Sequence, residues 1–336
     1  MMNRRQMLTM TALGAGVLAM PHIARAKGPE FSYKYANNLP VSHPMNIVAQ
    51  AAATRIKEQS DGRMELKVFP SNQLGSDTDM LSQVRAGGIE FLTSPGLVLS
   101  TLIPVAAINS LGFIFPDYAA VWKAMDGGLG TYLREQIAKV NLHPMETVWD
   151  NGFRQTTTAT APIVTPANFD GLKIRVPPAP ILVSMFRTLG AAPTAMNFAE
   201  VYSSLQTRVI DAQENPLAVI FTAKLYEVQK NLSLTNHAWD GYWFLANNRS
   251  WRRLPDDLKE IVSRNVNQAG LEERTLVEKM NGELAEKLAS DGMAVNSVDN
   301  IPFRDALRAG GFYQEWKGKF GDEAWDVLER YTGKLI

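Results

Sequence analysis

The chain has no cysteine. That excludes disulfides, thiol nucleophiles and Cys-ligated zinc, and a chain of this length can stabilise itself through its core alone. Histidine is scarce as well. His22, His43, His143 and His237 lie far apart, and neither H-E-x-x-H nor G-x-S-x-G occurs. No catalytic residue, metal ligand or cofactor motif is assigned, and the chain does not read as an enzyme. A surplus of one charge is missing too: 34 basic residues balance 34 acidic ones. There is no basic field for nucleic acid. Nor does any stretch carry the ~20 consecutive apolar residues a membrane-spanning helix needs.

What is present begins with residues 1–26. Arg4 and Arg5 precede a weakly apolar run, Met10 to Met20, and Ala24-Arg25-Ala26 closes it. A positive start, an apolar centre and an A-x-A end predict a secretory signal of the twin-arginine type, cleaved near Ala26. The run is too short for a membrane anchor. Gly14-Ala15-Gly16-Val17-Leu18-Ala19 fits a dinucleotide fingerprint, but no strand precedes it. The leader holds Arg4, Arg5 and Arg25 and no acid, so the mature chain has 31 basic against 34 acidic residues, a formal charge of −3. The expected location is the periplasm.

The remaining residues, about 310, suffice for two domains. Phe31 to Tyr35 and Met64 to Val68 alternate as half-buried strands, and Ile89 to Thr93, Met145 to Trp149 and Gly171 to Val176 are further strand candidates. Helices are predicted over Pro44 to Gln59 and Asp77 to Arg85, the second stopped by Gly87-Gly88. Strands alternating with helices imply an α/β sheet. Phe198, Val201, Tyr202, Leu205 and Val209 fall at helical spacing, with Asn197 and Glu200 as the start signal. Pro255 to Ser290 reads as one long helix, with Leu258, Ile261, Val262, Val266, Ala269, Leu276, Met280, Leu284 and Leu288 as its apolar stripe. A helix of roughly 50 Å exceeds what one small domain needs. It either bridges two domains or extends as a coiled-coil arm.

The order of these blocks resembles the DctP-type solute-binding subunit of TRAP transporters. The likeness rests on Phe69-Pro70 with Gln73-Leu74-Gly75, Gly112-Phe113-Ile114-Phe115, Gly152-Phe153-Arg154, Gly171-Leu-Lys-Ile-Arg175-Val-Pro177, Leu189-Gly190-Ala-Ala-Pro193 and Gln213-Glu214-Asn215-Pro216. It runs over the whole mature chain. The resemblance implies a two-domain periplasmic binding protein fold with a hinge and a long domain-spanning helix. Domain I would be 27–152 with 241–280, and domain II 153–240 with 281–336. It also implies a small organic-acid ligand, a TRAP permease as membrane partner, no nucleic-acid partner, and a monomer.

Family members hold the ligand carboxylate with one arginine, which matches Arg175. A guanidinium grips a carboxylate through two parallel N–H donors. Asn215 matches an asparagine bonding the same carboxylate. Arg154 matches a second arginine that either touches ligand or holds its neighbours. Phe198 matches an aromatic over the ligand, and Asn38 and Asp77 match positions near the cleft. Trp239, in the aromatic block from His237 to Phe244, either walls the pocket or belongs to the core; the same choice applies to Trp149. Two positions depart from the family. Arg208 stands where glycine is usual. Pro95 stands where the sialic-acid branch carries an acid, so sialic acid is not expected. The thin aromatic signal favours a monocarboxylate over a dicarboxylate or sugar acid. Rival readings are a periplasmic enzyme on a carboxylate substrate, a receptor for ATP-driven uptake, and a sensor presented to a membrane kinase.

Overall fold

The computed structural model describes residues 28–336; the predicted leader and its cleavage point lie outside the described residues. Eleven strands form here: β1 (Phe31–Ala36), β2 (Met64–Phe69), β3 (Phe91–Pro95), β4 (Leu142–Pro144), β5 (Trp149–Thr158) and β6 (Lys173–Val176) come first. β7 (Ala192–Ala195), β8 (Ala212–Pro216), β9 (Asn231–Leu234), β10 (Trp239–Asn247) and β11 (Ala294–Ser297) complete the set. The backbone order is β2-β1-β3-β10-β5-β8-β6-β7, with β4 on β10, β9 on β5 and β11 on β9. It is a mixed α/β fold of two domains.

β5 joins the two halves. Its first residues, Trp149 to Phe153, pair with β10, while Arg154 to Thr158 pair with β8. Between them Gly152 takes φ +113, which a side chain resists, and a Cβ there would meet Asn281 at 3.0 Å. Pairing with β10 also slips between Asp240 and Gly241. The chain bends where it passes between the halves.

Local signals set most early elements. His43 accepts the Met45 N–H through Nδ1, and Pro44 opens the helix Pro44–Gln59. Ser76 and Asp79 cap the helix Asp77–Ala86 reciprocally, and Gly87 ends it at φ +89. The long helix runs unbroken from Asp256 to Ser290, 35 residues. It packs on the helix Pro44–Gln59 and on β5, then reaches the helix Leu217–Thr222 and β11, so it touches both halves. Gly270 lets Trp149 lie against it; a Cβ there would come within 2.8 Å of the indole. Among the described residues no helix is long and apolar enough to cross a membrane.

Several expectations need correction. The third strand is Phe91–Pro95, displaced toward the C-terminus from Ile89 to Thr93. The Met145 to Trp149 segment is mostly the connection between β4 and β5. The helix after Asn197 starts as a short 3-10 turn and stops at Gln206, leaving Val209 exposed. Arg208 ends it at φ +59, a conformation in which glycine is unstrained. The long helix buries Val277 and Glu273 rather than Leu276, which is 42% exposed. The stripe shifts because the helix changes neighbours where it passes β5. Three closing helices, Ile301–Ala309, Phe312–Phe320 and Asp322–Thr332, carried no assignment. The first packs on the helix Pro180–Thr188 and the last on Tyr118–Met125 and Gly128–Ala138.

Candidate functional site

A narrow cavity lies where the two halves meet. Six of the seven residues singled out from sequence line it: Asn38, Asp77, Arg154, Arg175, Phe198 and Asn215. Leu39, Pro95, Val98, Pro177 and Val219 supply apolar wall.

Arg154 projects from β5 and is 2% exposed. Its Nε and Nη2 donate to the Glu214 carboxylate, Nη2 also to the Glu214 carbonyl at 2.8 Å, and Nη1 to Asp240 Oδ2 at 2.7 Å. Nη2 further reaches Asn215 Oδ1 at 3.2 Å. Burial pulls this arginine's pKa down, but Glu214 and Asp240 outweigh it and the net shift is upward. Glu214 also contacts His237 Nε2 at 3.0 Å, while His237 Nδ1 lies 2.8 Å from Thr235 Oγ1. A neutral ring protonated on Nε2 satisfies both partners. Burial holds the His237 pKa below its ordinary value, against the pull of Glu214. Burial pushes Glu214 upward, yet Arg154 and His237 leave it below the ordinary carboxylate range.

Arg175, on β6, is 1% exposed and differently placed. Lys173 faces solvent, but Arg175 is as buried as Ile174 and Val176, so the simple in-out alternation of the strand fails here. Its Nε and Nη2 donate to the Met196 carbonyl at 3.0 and 2.7 Å. Among the described residues it forms no ion pair. Burial draws its pKa down to about 10, with Glu214 and Asp77 opposing. Its guanidinium carbon sits 5.9 Å from the centre of the Phe198 ring.

Asn215 follows Glu214 on β8. Its Nδ2 donates to Gln213 Oε1 at 2.6 Å, and its Oδ1 receives Arg154. The amide is thereby fixed in orientation. Across the cavity, Asp77 Oδ1 accepts from Asn38 Nδ2 at 2.7 Å, and Tyr242 donates to Asn38 Oδ1 at 3.2 Å. Asp77 Oδ2 accepts the Phe198 N–H at 2.7 Å. Asp77 therefore caps, from the other half, a turn whose own Asn197 makes no cap; Asn197 Oδ1 instead faces the Thr78 N–H at 3.4 Å.

Trp239 is not brought to the cavity. It is 1% exposed, its Nε1 donates to Asp150 Oδ1 at 2.9 Å, and its ring meets Trp122 edge-on. Trp149 is likewise core. From the aromatic block only Tyr242, with the acid Asp240, lines the cavity. Asp240, Glu214 and Tyr242 were not singled out from sequence. For Asp240 a signal was available, since an acid inside the apolar and aromatic run Trp239 to Ala246 announces a buried charge that needs a partner; Glu214, in Ala212-Gln-Glu-Asn-Pro216, carries no such signal. Among the described residues no group of three or more His, Asp or Glu is placed to hold a metal ion.

A family profile described as bacterial extracellular solute-binding protein, family 7 (DctP), matches residues 35–315. The chain is 35% identical over 263 residues to a 2,3-diketo-L-gulonate-binding periplasmic protein of Escherichia coli, covering 78% of this chain and 80% of that one. Among solved structures, a TRAP periplasmic solute-binding protein from Sulfurospirillum deleyianum with bound succinate superposes with a TM-score of 0.85 at 27% identity, covering 91% of this chain and 99% of that one. The sugar-acid-binding protein DctPAm from Advenella mimigardefordensis with galactonate gives a TM-score of 0.87 at 26% identity, covering 92% and 99%.

Proposed function

The chain belongs to family 7 of the bacterial extracellular solute-binding proteins, the TRAP type, and we propose that it captures a small organic-acid anion through Arg175 and delivers it to a TRAP permease. Members of this family are periplasmic binding proteins of transporters, and their ligands are organic acids. The observation that carries the reading is Arg175: a guanidinium buried in the wall of a cavity without an acid partner. A buried cation in that state is costly, and a ligand carboxylate supplies the missing charge. Asn215, whose amide is oriented by Gln213 and Arg154, serves as a second, neutral donor. Phe198 covers the ligand, and Asn38 with Asp77 forms the opposite wall.

The action is binding and closure, without covalent chemistry. The Asp77 bond to the Phe198 N–H already crosses the cleft, and the ligand favours the closed form by touching both halves. The moving bodies are taken as 27–152 with 241–280 and 153–240 with 281–336, except that the helix Asp322–Thr332 leans on the first. We take the chain as a monomer whose leader is removed near Ala26. The expectation against sugar acids finds no support, since DctPAm holds galactonate; a monocarboxylate is still proposed over a dicarboxylate because Arg154's donors are already occupied by Glu214 and Asp240, which leaves one cation for one carboxylate. The test is recovery and mass spectrometry of the co-purified ligand, followed by calorimetry. An unaltered carboxylic acid that binds the native chain and fails to bind Arg175→Ala is expected. A ligand without a carboxylate, or undiminished binding by the variant, overturns the reading.

A further inference from the structure

We propose that Asp240 selects hydroxy acids: the ligand donates a hydroxyl to Asp240 Oδ1 while its carboxylate meets Arg175. This inference rests on the carboxylate reading above and adds the second functional group. Asp240 sits at the slip in pairing between β10 and β5, is fully buried and lines the cavity. Its Oδ2 is held by two donors, Arg154 Nη1 at 2.7 Å and Asn151 Nδ2 at 3.0 Å. Its Oδ1 is buried and has no hydrogen-bond partner.

The other acids of the cavity and its wall are not in that state. Asp77 has both oxygens occupied, by Asn38 and by the Phe198 N–H. Glu214 is held by Arg154 and His237. A carboxylate oxygen without a donor is the costly half of an unmade bond. Completing it takes an O–H or N–H, from water in the free site and from the ligand once the site fills. An amine would place a third cation beside Arg154 and Arg175, so a hydroxyl fits better. An acid lacking it leaves the oxygen unpaired, and a second carboxylate at that point would meet like charge. Burial, opposed by Arg154, raises the Asp240 pKa to about 6, so the free site takes up a proton in mild acid. An O–H donor favours the ionised form, so hydroxy-acid affinity should fall below pH 6 while that of the plain acid stays level.

The test is calorimetry on the full mature chain with 2-hydroxybutanoate, 3-hydroxybutanoate, butanoate and succinate, beside identification of the co-purified ligand. At least one hydroxy acid should bind about tenfold or more tightly than butanoate, since bonds to charged acceptors are the stronger class. Asp240→Asn should abolish that ratio. Arg154 and Asn151 would orient the new carbonyl oxygen, turning the amide donors toward the cavity, so succinate should gain. If the variant does not fold, the pH dependence of the native chain carries the test. Equal affinity with and without the hydroxyl, or a co-purified acid with no hydroxyl, overturns the inference and leaves the carboxylate reading standing. If none of the four acids binds, the co-purified ligand decides in the same way. A ligand with no carboxylate sinks both.

Discussion

Arg154 and Arg175 line one cavity and are equally buried, 2% and 1% exposed, yet their surroundings are opposite. Arg154 has two carboxylates, a carbonyl and an amide oxygen around it; Arg175 has one backbone carbonyl. One is paired within the protein, and the other meets no carboxylate among the described residues. The direction of each pKa follows: upward for Arg154, where its acids overcome burial, and downward for Arg175, where burial wins. On the proposed reading, two arginines that look alike in sequence divide stability from binding.

The sharpest way to break this comparison is to delete each in turn. Arg175→Ala should lower ligand affinity by roughly 30- to 5,000-fold, the range for removing one member of a buried charge pair. Arg175→Lys should also fail, because an ammonium does not reproduce the two-donor fork. Neither should weaken the unliganded fold, since a buried, unpaired cation is removed; chemical denaturation checks this. Arg154→Met should do the reverse. It strands Glu214 and Asp240 without a cation, at a cost of about 3–5 kcal/mol in unfolding free energy. A stable Arg154→Met, or an unstable Arg175→Ala with normal affinity, would erase the distinction.

Much of this candidate site is legible in the sequence. The family resemblance points to six of the cavity residues. What sequence does not carry is which arginine is already paired. Glu214 and Asp240 reach Arg154 from β8 and β10, strands distant in sequence, through a register set by the bend at Gly152. Trp239 misleads for the same reason: at the β10 slip its side chain turns to Asp150, while Asp240 and Tyr242 line the cavity. Leu276 misleads because one helix serves two neighbours, and no single period describes both faces.

The acids away from the arginines sharpen the contrast through pH. Asp150 and Glu273 are fully buried where β5 meets the long helix, and the Asp150 N–H donates to Glu273 Oε2 at 2.8 Å. Burial pushes Asp150 up to about 7, and burial with Asp150 beside it holds Glu273 well above the ordinary carboxylate range. A carboxyl whose folded pKa is raised binds its proton more tightly when folded. Stability is therefore lost as pH rises from about 4 to 7. Glu214, held below the ordinary range by Arg154, acts in the other direction and loses its contribution as pH falls below about 4. Asp150→Asn should flatten the neutral limb of a melting-temperature profile, by an amount on the order of 2–4 kcal/mol, and leave the acid limb. An unchanged neutral limb would show that Asp150 is charged and compensated. Asn215→Ala removes a neutral donor and should weaken binding only about tenfold, well short of Arg175→Ala.

A third arginine gives the smallest effect and the cleanest control. Arg208 is exposed, lies outside the cavity and holds φ +59 at the end of the helix Val201–Gln206. Its contribution is to the backbone alone. An L-residue in the left-handed region costs about 1–2 kcal/mol, part of which glycine returns to the unfolded chain as added freedom. Arg208→Gly should therefore raise the unfolding free energy by about 1 kcal/mol, whereas Arg208→Ala keeps the strain and should not. Ligand affinity should stay unchanged in both, because no charge at the cavity is altered. If Arg208→Gly weakened binding as Arg175→Ala does, charge at a distance would matter more than contact, and the division between the two buried arginines would lose its physical basis.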